Sequence, residues 1–414
     1  MTTAPIKQIF LSHTGIDKRF VTAVADGLAR RGVVPWLDIH DLYPGVNLRC
    51  AIENVIEDPK TAVAVFLSDA ANKSGWVRDE LQAAVDVENL ATSRGLPSPV
   101  IPVFLGRPLD LVQGNQVVRP HWLSADQTRV ERLGITGNPG NSEEVATKLA
   151  DAVLRHGAAR TAREVAWHID QRGTGRRTGL DGLDIPPAVC REAKVAFVIR
   201  PDLGARGEKQ LCDMDVWPRV CDGLEFVRSF LGPGGAERRV VHLSGRAQAS
   251  LFWTAGRQLD YSAGVEVVAH DFRGRTTTAL KPSDAIPGGD DGAPLELVTE
   301  YDPPAAEPSL SLAIISPRQE ILRAVRSHHE SRANRDRLMV GRHDMLEASQ
   351  VLPFLKSVRA AMSRLDRVPR YNIYTTLPVH VVALLACMCG HLLPREVVFW
   401  EVSETGQYHP FMCT

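Results

Sequence analysis

Three groupings in this chain carry residue types capable of chemistry. The first is Trp76 and Glu80 in SGWVRDEL, four residues apart in a segment of helical periodicity, so indole and carboxylate project from one face. A carboxylate so placed can serve the helix dipole, sit solvated, or act on a substrate, and spacing alone leaves all three open. The other two are strands that end in small hydroxyl residues where a helix begins at once. One is HLSGRAQ, with Ser244 and Arg246; the other is YTTLPVH, with Thr375, Thr376 and Pro378. Backbone N–H groups and hydroxyls at such helix starts suit phosphate, and Pro378 fits a first helical turn. Trp253, on the helix after Arg246, offers a stacking face for a base. The plainer readings stand beside these: Ser244 and Thr375 as helix caps, Trp76 as core.

Several suggestive patterns fail on inspection. Gly173, Gly175 and Gly179 in RGTGRRTGL follow no apolar strand and lack a closing Lys-Ser or Lys-Thr, so they read as a basic connector. GxSxG, HExxH and CxxC motifs are absent. His328 and His329 lie among arginines and read as surface residues, and no metal site is expected. The seven cysteines have no framework spacing, and Cys387 and Cys389, two apart on a helix, would face different ways. They indicate a reducing interior.

Composition sets the frame. With 414 residues, 44% hydrophobic and 23% charged, the chain is globular and too long for one core. A net charge of −1 argues against a whole-protein pull toward nucleic acid or anionic membrane. The opening lacks the plan of a secretory signal, and the run 379–393 is broken by His380, Gly390 and His391 before it reaches a membrane span. The expectation is a soluble cytoplasmic protein.

The elements that must position these residues alternate. Strands are expected at 6–11, 33–37, 61–68 and 100–105, with helices through Phe20, Val24 and Leu28, through Ile52 and Ile56, over 76–90, and over 143–156. Continuous apolar strands between helices indicate a parallel sheet covered on both faces. Ligands then sit beyond the C-terminal strand ends, a rim holding Ser12, His13, the 38–47 loop and 68–75. The second half reads as two units of strand, helix and strand, about 185–280 and from about 310, parted by a Pro, Gly and acid-rich stretch expected to be an exposed loop. Residues 318–370 hold twelve Lys or Arg against six Asp or Glu, either a solvated helical surface, an interface between protomers or a ligand contact.

The motifs IFLSHTGIDKRFV, WLDIHDLYPGVNL and SGWVRDEL, in that order, resemble the first-strand box, BB loop and Trp-to-Glu segment of TIR domains, over roughly residues 5–156. The resemblance implies a flavodoxin-like parallel sheet. In the NAD-cleaving branch of that family the Glu of the last motif is catalytic, which falls on Glu80; Ser12, Asp38, Tyr43, Ser68 and Trp76 would form the NAD pocket. Cleavage of the nicotinamide–ribose bond builds positive charge on the sugar, which a carboxylate in a partly dry site can stabilise.

The tail IYTTLPVHVVALLACMCGHLLPREVVFWEVSETGQYHPFM is similar to the C-terminal signature of SAVED domains. The likeness implies two fused CARF-like, Rossmann-like units over roughly 160–414. The resulting division is a TIR domain at 1–157, a linker at 158–184 and a SAVED domain at 185–414. Together the pair resembles TIR–SAVED effectors of bacterial cyclic-oligonucleotide-based anti-phage signalling. That resemblance implies an NAD glycohydrolase switched on by a cyclic oligonucleotide, often cyclic tri-adenylate, through self-assembly into an oligomer or filament. NAD would be a substrate and no cofactor is implied; neither a membrane nor a DNA or RNA polymer is an expected partner. Ser244, Arg246, Trp253, Thr375, Thr376 and Pro378 are the candidate ligand contacts. Two rivals remain: a TIR scaffold without turnover, and an ungated NAD hydrolase.

Overall fold

The computed structural model of the chain describes residues 8–37, 47–58, 61–93, 100–105, 135–138, 140–155, 162–171, 189, 195–201, 211–212, 214–231, 239–259, 264–271, 277–285, 294–303, 309–332, 335–344, 346–365, 367–394, 396–403 and 405–413. The chain divides into two compact units. The first takes residues 1–161, 173–184 and 194–204; the second takes 162–172, 185–193 and 205–414.

In the first unit the apolar runs become strands β1 (Gln8–Ser12), β2 (Val34–Trp36), β3 (Thr61–Leu67), β4 (Val100–Leu105) and β5 (Ile135–Gly137), all parallel, in the order β2-β1-β3-β4-β5. That is the flavodoxin-like doubly wound order, whose crevice opens where β1 and β3 send their helices apart. Helix α1 (Lys18–Arg30) follows β1, and Gly32, at φ 78°, ends its last turn in a left-handed conformation. A Cβ there would also stand 2.9 Å from the Phe197 side chain. Arg30 and Arg31 are buried rather than solvated, and both bind the Glu143 carboxylate at the start of the helix after β5. Burial works against that charge, yet the two guanidiniums hold the Glu143 carboxyl below its ordinary value. Helix α2 (Leu48–Glu57) follows β2, with the Asn47 side chain accepting the Cys50 N–H at its start. Helix α3 (Gly75–Ser93) follows β3, and α4 (Ser142–Arg155) follows β5. Val77, Leu81, Ala84 and Val85 of α3 enter the core with Val63, Val65 and Leu67 of β3. Packing of that stripe fixes the helix's rotation, and hence where Trp76 and Glu80 point.

The second unit holds two sheets. One includes β6 (Glu164–Asp170), β8 (Val240–Arg246) and β9 (Glu266–His270) in parallel, with β10 (Thr277–Leu280) antiparallel beyond β9; β7 (Val195–Ile199) lies with the first unit, where the Val198 and Arg200 N–H groups donate to the Gly32 and Ala29 carbonyls. The other has the order β11-β13-β12-β14-β15-β16, from β11 (Leu297–Tyr301), β12 (Ser309–Ile315), β13 (Arg337–Arg342), β14 (Arg370–Thr375), β15 (Glu396–Val402) and β16 (Tyr408–Cys413). Its four central strands are parallel and its two edges antiparallel. Helices α5 (Trp217–Phe230), α6 (Ala249–Gln258), α7 (Gln319–Ser331), α8 (Ala348–Met362) and α9 (Val379–Cys389) complete the unit. The two-part α/β reading of this half agrees with these sheets.

Two expectations change. The segment 158–184, expected to be a linker, contains β6, buried almost throughout and paired along its length with β8. Its polar residues hid it: His168 is buried, with its Nδ1 2.9 Å from the Ser244 hydroxyl. The basic stretch 318–370 is not all helix, because β13 runs through it between α7 and α8.

Candidate active site

Beyond the C-terminal ends of β1 and β3 lies a cleft of about 590 Å³, walled by Phe10, Leu11, His13, Thr14, Gly15, Ile16, Ala70, Lys73, Ser74, Trp76 and Glu80. Glu80 is 7% exposed and accepts a 2.5 Å hydrogen bond from the Ser12 hydroxyl. Trp76, one turn earlier on α3, is 42% exposed at the mouth. The far side of the same Trp–Glu pair borders a smaller hollow with Arg49, Ile52 and Ile56. One buried carboxylate therefore stands between an aromatic wall and an open cavity, with Lys73 offering a positive charge on the rim.

Not every expected pocket residue has that role. Ser12 is 1% exposed and does not line the cleft; it lies behind Glu80 and holds it. The Ser68 hydroxyl donates to the Asp17 carboxylate at 2.7 Å and accepts the Ala71 N–H, so it ties the loop after β3 to the start of α1. Asp38 and Tyr43 lie outside the described residues. His13, Thr14, Lys73 and Ser74 are cleft residues that were given no individual role, although His13, Lys73 and Ser74 fall on the expected rim. Their signal was positional, since all follow the two strands that flank the crevice.

The candidate contacts of the second unit separate in the same way. Trp253 is fully buried, packed 5.0 Å from the Phe399 ring, and offers no stacking face. Ser244 is also fully buried, inside β8 rather than at a helix start. The strand runs on through Gly245, at φ 138°, where a Cβ would strike the Ile169 carbonyl oxygen. Arg246 ends β8, level with Asp170 on β6. The start of α6 already holds an anion-type group: a Glu401 carboxylate oxygen accepts the Ser250 N–H at 2.6 Å. Burial raises the Glu401 carboxyl, while N–H donors from Ser250 and Ala249 draw it back.

The second lip is more open. Thr376 and Pro378 are exposed and Thr375 half-buried, at the end of β14 and the cap of α9. Thr375 accepts the Leu377 N–H, and Thr376 accepts the Ser316 N–H at 2.7 Å from the end of β12. Since β13 and β14 flank β12, this is the crevice of the larger sheet. His328 and His329 are not free surface residues. His329 is buried against Asp336, whereas His328 stacks 4.4 Å from Tyr408 and lies tilted 4.5 Å from the Trp400 ring.

Residues 9–133 match a family model described as the TIR domain. The first unit carries a TIR domain. Among solved structures the chain is similar to the Acinetobacter baumannii Cap4 SAVED/CARF-domain containing receptor with the cyclic trinucleotide 3′3′3′-cAAA, at 9% identity and TM-score 0.41, covering 90% of this chain and 86% of that one. The corresponding Moraxella osloensis receptor is similar at 11% identity and TM-score 0.39, covering 99% of this chain and 87% of that one. Likeness at that level assigns neither fold nor ligand. No curated protein matches the chain. Within the TIR domain, Trp76 and Glu80 are the pair that both motif and cleft single out. Among the described residues no group of three or more His, Cys, Asp or Glu converges as a metal site, and no helix is long and apolar enough to cross a membrane.

Proposed function

We propose that the chain is an NAD glycohydrolase gated by a cyclic oligonucleotide, with Glu80 as the catalytic carboxylate. The observation that carries this reading is the Glu80 carboxylate itself, buried in the wall of a cleft large enough for part of a dinucleotide and held by Ser12. When the bond from nicotinamide to ribose lengthens, positive charge grows on the sugar. A fixed carboxylate in a site with little water stabilises that charge without reorganising. Trp76 supplies a ring face and Lys73 a charge suited to the pyrophosphate. In the second unit the lip formed by Thr375, Thr376 and Pro378 is where a phosphate of the cyclic ligand would bind. Such a ligand activates only by binding the assembled, active arrangement more tightly than the idle one, and contacts to two copies at once provide that difference.

The test is NAD loss by the intact protein, alone and with cyclic di-, tri- and tetranucleotides, beside Glu80→Gln. Turnover with one ring size only, and a drop of at least about 100-fold in the variant, is the expected result. Full turnover in Glu80→Gln would remove the catalytic assignment. A second reading, an assembling scaffold without turnover, draws on Ile16, which is 83% exposed at the cleft mouth beside Trp76 as a contact surface would be. It predicts ligand binding and assembly with NAD left intact.

A further inference from the structure

Hydrolysis of NAD has a second reactant, water, and the cleft holds one more group suited to it. His13 follows Ser12 at the end of β1, and its ring lines the same cavity as Trp76 and Glu80. Its Nδ1 lies 2.8 Å from the Leu11 carbonyl oxygen. A carbonyl only accepts, so Nδ1 carries the ring proton and Nε2 of the neutral imidazole keeps its lone pair. Among the described residues, Nε2 has no hydrogen-bond partner. Neighbouring residues at the end of one strand thus have separate tasks. Ser12 fixes a carboxylate, while His13 has its tautomer set by its own backbone and presents a base to the cavity.

The two groups suit different parts of one reaction. A carboxylate held by a hydroxyl is matched to a cation, whereas an imidazole with a free lone pair is matched to a proton. We propose that His13 is the general base for the water that attacks the ribosyl cation, an assignment that rests on the hydrolase reading above. The bond from C1′ to the nicotinamide nitrogen breaks, and its electron pair stays on that nitrogen, neutralising the pyridinium. The water oxygen then bonds to C1′, and one of its protons passes to His13 Nε2 and on to solvent. The products are ADP-ribose, nicotinamide and one proton, with no further reactant required.

A pyridine base added in place of water needs no deprotonation, and that separates the two steps. The intact protein, activated with cyclic tri-adenylate or the cyclic di- or tetranucleotide that proves active, is assayed for hydrolysis and for exchange of nicotinamide by 3-acetylpyridine. In His13→Asn the side-chain amide can still donate to the Leu11 carbonyl, but the base at Nε2 is gone; His13→Gln is the second variant. The expected result is hydrolysis down about 100-fold, with exchange within about 3-fold of wild type and thermal melting unchanged. Equal loss of both reactions, or undiminished hydrolysis, in a variant that melts normally overturns the role of His13 and leaves the hydrolase reading standing. A wild-type chain inert in both reactions with every ring size overturns that reading and this step together.

Discussion

Glu80 depends on a residue 68 positions away in the chain. A carboxylate helps a developing cation only if its oxygens stay where that charge appears, and the Ser12 hydroxyl is what holds one of them. A hydrogen bond to a charged acceptor contributes about 1.5–3 kcal/mol, so on the proposed hydrolase reading Ser12→Ala should lower kcat about 10–100-fold with little change in KM. Steady-state kinetics on the activated protein check this, and an unaltered kcat would mean that Glu80 needs no such support. The Trp76–Glu80 pair was legible because helical spacing puts both on one face whatever the rest of the fold does. The Ser12–Glu80 contact was not, because it joins a strand end to a helix face. Trp253 misled for a related reason. An aromatic on a helix gives no sign in sequence of a second layer, and here α6 is covered on the side that was read as open.

The parallel core strands announced themselves through apolar runs, and the alternation with helices gave the layer plan. Three of the strands that escaped notice each carry a local signal against a strand. In β6, His168 and Asp170 are buried polar residues that interrupt the run, and in β13 charged residues stand at both ends of a short segment. β16 contains Pro410, which argues against a strand except at an edge, and the edge is where it lies. Helix pairing adds a constraint that periodicity could not show. α6 and α9 approach so closely at Gly256 that a Cβ there would stand 2.2 Å from the Ala383 carbonyl oxygen and 2.8 Å from the Ala386 Cβ. Neither atom can swing away. Gly256→Val should cost about 1–3 kcal/mol or more through overpacking, seen as a lower Tm by calorimetry. A Tm equal to wild type would show that the two helices can part without penalty.

The protein as a whole should weaken in mild acid. Burial, then the charge of His242, lowers His270 to about 4 from 6.5; burial, then Arg332, lowers His328 to about 4. Both fold in the neutral form, so the unfolded chain binds more protons below pH 6.5. Their stabilisation is complete above that pH and is lost as pH falls toward 4, on the order of a few kcal/mol together. Asp336 moves in the same sense only lower down: burial opposes its charge, but His329, Ser311 and Arg332 hold its carboxyl at about 2, so its share is lost between pH 3.8 and 2. Thermal melts from pH 7.5 to 4.5 should show a falling Tm; a flat profile would contradict the assignment. One feature bears on how the protein behaves when crowded. At the outer strand of the larger sheet, the Trp217 indole donates to the Met412 carbonyl at 2.6 Å, and Arg257 donates to the Cys413 carbonyl at 3.2 Å. These bonds engage backbone carbonyls at the C-terminal end of β16, the edge along which an incoming extended peptide would have to pair. With side chains bonded at that end, and Pro410 unable to donate a ladder hydrogen bond, this edge is a poorer template for edge-to-edge aggregation when the protein is concentrated.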